Sequence, residues 1–136
     1  MDLTKALQIS AMGMKAQGTR VRVIAENMAN ADTTPVSPND QPYRRKVVSF
    51  QNALDRATGV NAVSVSRIGV DKSEFQKKYE PGHPAADKDG YVSKPNVNAL
   101  IEVMDMREAQ RSYEANLGVI ELSKGMLMKT IDLLRG

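Results

Sequence analysis

The chain has 136 residues, no cysteine, no tryptophan, two phenylalanines and a formal charge of +3. That length fits one domain, and with so few aromatic rings its core has to come from Leu, Ile, Val, Met and Ala. Disulfides, zinc–thiolate centres and a cysteine nucleophile are excluded, and the charge divides into +2 over residues 1–30, +2 over 31–95 and −1 over 96–136, with no concentrated basic arm.

The first predicted element is a helix within residues 1–30. Positions 3, 7, 10, 14, 17, 21, 24 and 28 advance in steps of four and three, and six of the eight are apolar: Leu3, Leu7, Met14, Val21, Ile24 and Met28. That is a heptad seam, broken only by Ser10 and Gln17. Asp2 is placed to cap it, and Asn30-Ala-Asp-Thr-Thr-Pro35 supplies residues that end it. The acid at position 2 and the absence of a long apolar run argue against a cleaved signal peptide or a membrane anchor.

Residues 31–95 read as an extended, β-rich and loop-rich excursion. Residues 31–42, rich in Pro, Asp and Asn, look like a mobile connection. Lys46-Val-Val-Ser-Phe50 and Ala62-Val-Ser-Val-Ser-Arg-Ile-Gly-Val70 alternate as strands do. The run Arg44-Arg-Lys46, with Arg20 and Arg22, could form a nucleic-acid footprint, but no recognition helix or stacking module accompanies it. A basic strand edge facing solvent or a partner is the reading it supports.

Pro81-Gly-His-Pro-Ala-Ala-Asp-Lys-Asp-Gly-Tyr-Val92 has the composition of a metal or active-site loop. Laid on a calcium loop, Asp87, Asp89 and Gly90 fall on positions three, five and six, but positions one and twelve are Ala85 and Asn96, which lack the required carboxylates. His83 has no second histidine to share a metal, and Asp87 and Asp89 have no apolar enclosure to part their acidities. The stretch therefore reads as a rigid turn, with no catalytic, cofactor-binding or metal residue.

The last element, over 96–136, repeats the four-three alternation through Ala99, Val103, Met106, Gln110, Tyr113, Leu117, Ile120, Lys124, Leu127, Ile131 and Leu134, nine of them apolar. Pro95 and Asn96 precede it, Glu102 lies in its first turn, and Arg135 and Gly136 close it. Ile9, Met12, Val23, Leu100, Met104, Leu122 and Met126 fall off the two seams, so the helices offer more apolar surface than one hairpin can hide. The seam residues, excepting the polar ones and Ala99, are thus candidate subunit-interface positions. The expected architecture is mainly α: two terminal heptad helices forming a coiled-coil rod core as one structural unit, with a small β-rich middle.

Glu26-Asn-Met-Ala-Asn-Ala-Asp-Thr-Thr34 and Pro42-Tyr-Arg-Arg-Lys46 resemble the amino-terminal signature of bacterial flagellar rod and hook axial proteins. Asn96-Val-Asn and Ala109-Gln-Arg-Ser-Tyr-Glu-Ala-Asn116 resemble the carboxyl-terminal one, and Tyr79 to Val92 leading into Pro95 is similar to the proximal-rod branch of that superfamily. The positions that carry the likeness are Asn27, Asn30, Thr33, Tyr43, Arg44, Pro81, Gly82, Pro84, Asp87, Gly90, Tyr91, Asn96, Gln110, Tyr113 and Asn116. The resemblance implies a non-enzymatic structural subunit of the basal-body rod, without cofactor. It implies assembly with itself and with other rod and rod-adaptor proteins, in the periplasm, into a rod that links the inner-membrane ring to the distal rod and transmits torque. It further implies passage through the flagellar type III export apparatus without signal cleavage, no nucleic acid and no membrane insertion. Another rod-class axial protein is the nearest alternative, and a coiled-coil nucleic-acid regulator is the alternative from a different class.

Overall fold

A computed structural model describes residues 2–136. The elements run α1 (Leu3–Ala29), β1 (Lys46–Asp55), β2 (Val60–Val70), β3 (Gln76–Tyr79), β4 (Tyr91–Lys94) and α2 (Ala99–Arg135). β1 and β2 form one two-stranded sheet, and β3 and β4 form another. No helix among the described residues is long and apolar enough to cross a membrane.

Asp2 caps α1 as its position suggests, its carboxylate accepting the Thr4 N–H at 2.9 Å. At the other end, Asn30 Nδ2 donates to the Glu26 carbonyl at 2.8 Å. The start of α2 differs from the sequence reading. The helix begins at Ala99, not at residue 96, and Asn98 is its cap, accepting the Leu100 and Ile101 N–H groups at 3.0 and 3.4 Å. Asn96 and Val97 are buried instead, in the short bend that joins β4 to the helix.

β1 and β2 run further than the apolar alternation marked, because Gln51 and Asn52 continue the strand with both faces wet. The turn between them closes through Gly59, whose N–H donates to the Asp55 carbonyl at 2.7 Å and whose φ is +69°. Residues 31–42 carry their own hydrogen bonds: Ser37 and Asp40 form a turn at 3.1 Å, and Pro42 is buried.

The residues gather into two compact units. The first contains residues 1–21, 49–67 and 107–136. Inside it the helices run antiparallel, since Gly13 lies against Asn116 and Arg20 pairs with Glu108. Its buried helix positions are small: Ser10, Gly13 and Ala16 on α1, Ala109 and Ser123 on α2. Small residues let the backbones approach, and a Cβ on Gly13 would stand 2.9 Å from the Asn116 amide nitrogen.

The second unit contains residues 22–48 and 68–106. It buries Val23, Ile24, Ala85, Val92 and Val97 together with the polar Asn27, Asn96 and Glu102. Each fully buried Val or Ile contributes about 1.5–3 kcal/mol relative to exposure. This unit is therefore the better cored of the two by side-chain size.

Candidate functional site

In the second unit a polar network joins residues far apart in sequence. Asn27, in the last turn of α1 and 1% exposed, grips the backbone of Lys46 at both ends. Its Oδ1 accepts the Lys46 N–H and its Nδ2 donates to the Lys46 carbonyl, each at 2.9 Å. The same Oδ1 accepts the Tyr43 hydroxyl at 2.8 Å, and Nδ2 also reaches Glu102 Oε2 at 3.3 Å. All four hydrogen-bonding positions of the amide are thus taken.

Asn96 makes a second clamp. Its Oδ1 accepts the Arg45 N–H at 2.7 Å, while Nδ2 donates to the Asp71 and Ser73 carbonyls at 3.0 and 3.2 Å. Between the clamps Glu102, 0% exposed, is ion-paired with Arg45 Nε. Arg45 also meets Asp71 at 3.5 Å and Asp105 at 3.4 Å. A carboxylate taken this completely from water is tolerated only when paired and hydrogen-bonded, and Arg45 and Asn27 supply both.

Burial works against the Arg45 charge. The Glu102 hydrogen bond and the charges of Glu102, Asp71 and Asp105 outweigh that and hold the guanidinium above its ordinary range. Burial pushes the Tyr43 phenol up, and the charges of Glu26 and Glu102 push it further, so it remains a protonated donor toward Asn27.

This network corrects the reading of Arg44-Arg-Lys46 as a free basic edge. Arg44 Nη1 donates to the Asp71 and Ser73 carbonyls at 2.9 and 3.0 Å and lies 4.1 Å over the Phe75 ring. Lys46 pairs with Glu26 at 3.1 Å. All three cations are engaged within the unit, with partners the local sequence does not reveal.

Pro81 to Val92 forms the turn between β3 and β4. The Asp87 carboxylate accepts the Asp89 and Tyr91 N–H groups, both at 2.9 Å, and Gly90 takes a φ of +86°. A Cβ there would stand 2.8 Å from the Tyr79 ring, which packs edge-on against Tyr91 with centroids 5.3 Å apart. His83 Nδ1 accepts the Ala85 N–H at 3.0 Å, leaving Nε2 to donate to Thr34 Oγ1 at 3.2 Å. Pro81, Gly82 and Pro84 lie exposed on the turn.

The candidate interface positions behave differently. Ile24 is 5% exposed and belongs to the core of the second unit. Leu3, Leu7, Met14, Val21, Val103, Met106, Ile120 and Leu127 are half-buried. Met28, Tyr113, Leu117, Ile131 and Leu134 are exposed, Leu117 by 38% and Leu134 by 84%. Beyond Ser123 no residue of α2 is buried. Of the carboxyl-terminal motif, Asn116 bonds the Ser112 carbonyl at 3.0 Å, while Gln110 and Tyr113 line a groove with Gly18 and Val21.

Residues 7–35 match the family model described as flagella basal body rod protein, and residues 88–133 match the flagellar basal body rod FlgEFG protein C-terminal model. The flagellar basal-body rod protein FlgC of Agrobacterium fabrum is 50% identical over 98% of this chain and 96% of its own length. Proteins of that name from Salmonella typhimurium and Bacillus subtilis are 41% and 39% identical, over 98% and 94% of this chain and 98% and 95% of theirs. The chain belongs to the FlgC family.

Its FlgC-type motifs now have physical roles. Asn27, Tyr43, Arg44 and Asn96 converge on one network, and Asn30 closes α1 while its Oδ1 accepts the Thr33 hydroxyl at 3.2 Å. Asp87, Gly90 and Tyr91 shape the turn. The reading from sequence missed Arg45 and Glu102 as the centre of the network, along with Asp71, Ser73 and Asp105. Glu102 looks like an ordinary first-turn acid complementing the helix dipole, and nothing local marks it as buried.

Proposed function

We propose that this chain is a structural subunit of the flagellar basal-body rod, not an enzyme, and that it assembles through the apolar faces of α1 and α2. The carrying observation is the exposed run of Tyr113, Leu117, Ile131 and Leu134, with no buried residue in α2 after Ser123. Large apolar side chains left exposed repeatedly along one helix mark an interaction site. On this reading the helices complete coiled-coil-like seams against neighbouring copies and other rod and rod-adaptor proteins at the proximal end of the rod. Torque then passes through buried contact area. The β-rich middle segment, residues 31–95, is then the outward excursion from the rod core, and the subunit reaches its place through the flagellar export apparatus with its amino terminus uncleaved.

Deletion of the gene in its own organism tests this. The expected result is loss of motility and of complete rods in isolated basal bodies, both restored by the wild-type chain. Complete rods in the deletion strain would overturn the proposal.

A further inference from the structure

His83 is the only histidine of the chain, and it ties together two loop segments of the second unit. Its Nε2 meets Thr34 Oγ1, in the connection after α1, at 3.2 Å, and its Nδ1 meets the Ala85 N–H, in the turn between β3 and β4, at 3.0 Å. An N–H only donates, so Nδ1 holds a lone pair here and the ring is neutral, with its proton on Nε2. Ala85 is 4% exposed, and among the described residues the ring is the acceptor its N–H has. A buried N–H stripped of its acceptor is costly.

We infer that His83 is a proton-operated latch between the connection 31–42 and the turn that joins β3 to β4. When a proton from water binds Nδ1, the ring has no lone pair left, and Nδ1–H stands donor to donor against the Ala85 N–H. The ring is rigid, so it cannot turn away from Ala85 without also drawing Nε2 off Thr34. One protonation therefore releases both segments. The sign follows from the proton count. The closed form holds one proton fewer than the open form, so falling pH favours opening, by up to about tenfold in the open-to-closed ratio for each pH unit. Imidazole side chains take that proton between about pH 5 and 8.

The charges around the ring do not replace the lost hydrogen bond. Glu80, at the end of β3, is the carboxylate that feels the ring, but Lys78 holds it at 2.8 Å and Lys94 on β4 also acts on it. Asp32, in the connection, acts on Lys78. The Asp87 carboxylate is taken by the Asp89 and Tyr91 N–H groups, and Asp40 by the Ser37 hydroxyl. Lys88 and Asp89 lie exposed at the tip of the turn. The latch belongs to the loops of the second unit and does not depend on the helix faces or on the rod reading.

The test is NMR of the full chain, labelled with nitrogen-15, from pH 8 to pH 5. At pH 8 the ring is expected to carry its proton on Nε2 and none on Nδ1. As pH falls, the Ala85 and Thr34 amide signals are expected to move along the ring's own titration curve, while the amides of Val36, Asp40 and Gln41 gain fast motion. In His83→Asn the side-chain oxygen can accept the N–H two residues on, with no ring to titrate. That variant is expected to hold the Ala85 signal and the connection unchanged over the same range. A proton on Nδ1 at pH 8, an Ala85 signal that ignores the ring, or a connection that stays still while the ring titrates would overturn the inference. So would a connection that loosens with pH equally in His83→Asn. If the asparagine variant does not fold, the wild-type tautomer and the coupled movement of Ala85 and the connection decide alone.

Discussion

At Asn27 one amide satisfies the backbone of Lys46, the hydroxyl of Tyr43 and an oxygen of Glu102. Asn27→Ala leaves these groups buried with fewer partners, and is expected to cost about 2–4 kcal/mol in urea unfolding. Asn27→Asp keeps the acceptors but sets a second carboxylate against Glu102, so it is expected to be no milder. Acid exposes the same network through its carboxylates. The Asp71 carboxyl sits below its ordinary 3.8, first because the Ser73 N–H and hydroxyl donate to it and then because Arg45 attracts it. The Glu26 carboxyl sits below its ordinary 4.5, chiefly through the Lys46 hydrogen bond. Because folding lowers both values, the unfolded chain takes up these protons first as pH falls. The stability they contribute is present above the ordinary values and is lost as pH drops through the lowered ones. The thermal midpoint is therefore expected to fall below about pH 4, and less steeply in Asp71→Asn, as scanning calorimetry across that range will show.

At the scale of elements, the turn between β3 and β4 is the most constrained. Gly90→Ala must hold a side chain at a φ of +86° with its Cβ 2.8 Å from the Tyr79 ring. The left-handed conformation alone costs about 1–2 kcal/mol, so the expected loss is about 2 kcal/mol or more, read from the shift in denaturant midpoint. Asp87 and Gly90 were legible as turn chemistry because the signal is local. The helices were legible for the same kind of reason: a four-three spacing and the Asp2 cap lie within the segments they describe. The hydrogen-bonding role of Asn96 was not, since its partners Arg45, Asp71 and Ser73 are 51, 25 and 23 residues away. Nor was the face by which the helices meet in the first unit. An apolar seam draws the eye to Tyr113 and Leu117, but close approach favours the small Ala109 and Ser123 one position off, and the larger side chains are left outside.

For the whole molecule, the seam of α1 and α2 divides by burial into positions that hold the chain together and positions free to bind another. Ile24 belongs to the first group, buried beside Val23 and Asn27 in the second unit. An aspartate there would put a charge at a position taken almost fully from water, so Ile24→Asp is expected to unfold that unit, with protein lost before any assembly step. Leu117, 38% exposed, belongs to the other group. Leu117→Arg leaves the guanidinium in water in the free subunit and is expected to change its unfolding free energy by no more than about 0.5 kcal/mol. On the assembly face proposed above, the same arginine would be buried against a neighbouring subunit at every copy, and rods are expected to be absent although the subunit is made in normal amount. Circular dichroism of both purified variants, together with electron microscopy of basal bodies from strains carrying them, separates the two groups. If Leu117→Arg supports normal rods, the exposed seam is not the assembly face; if Ile24→Asp is folded and soluble, its burial does not hold the second unit together.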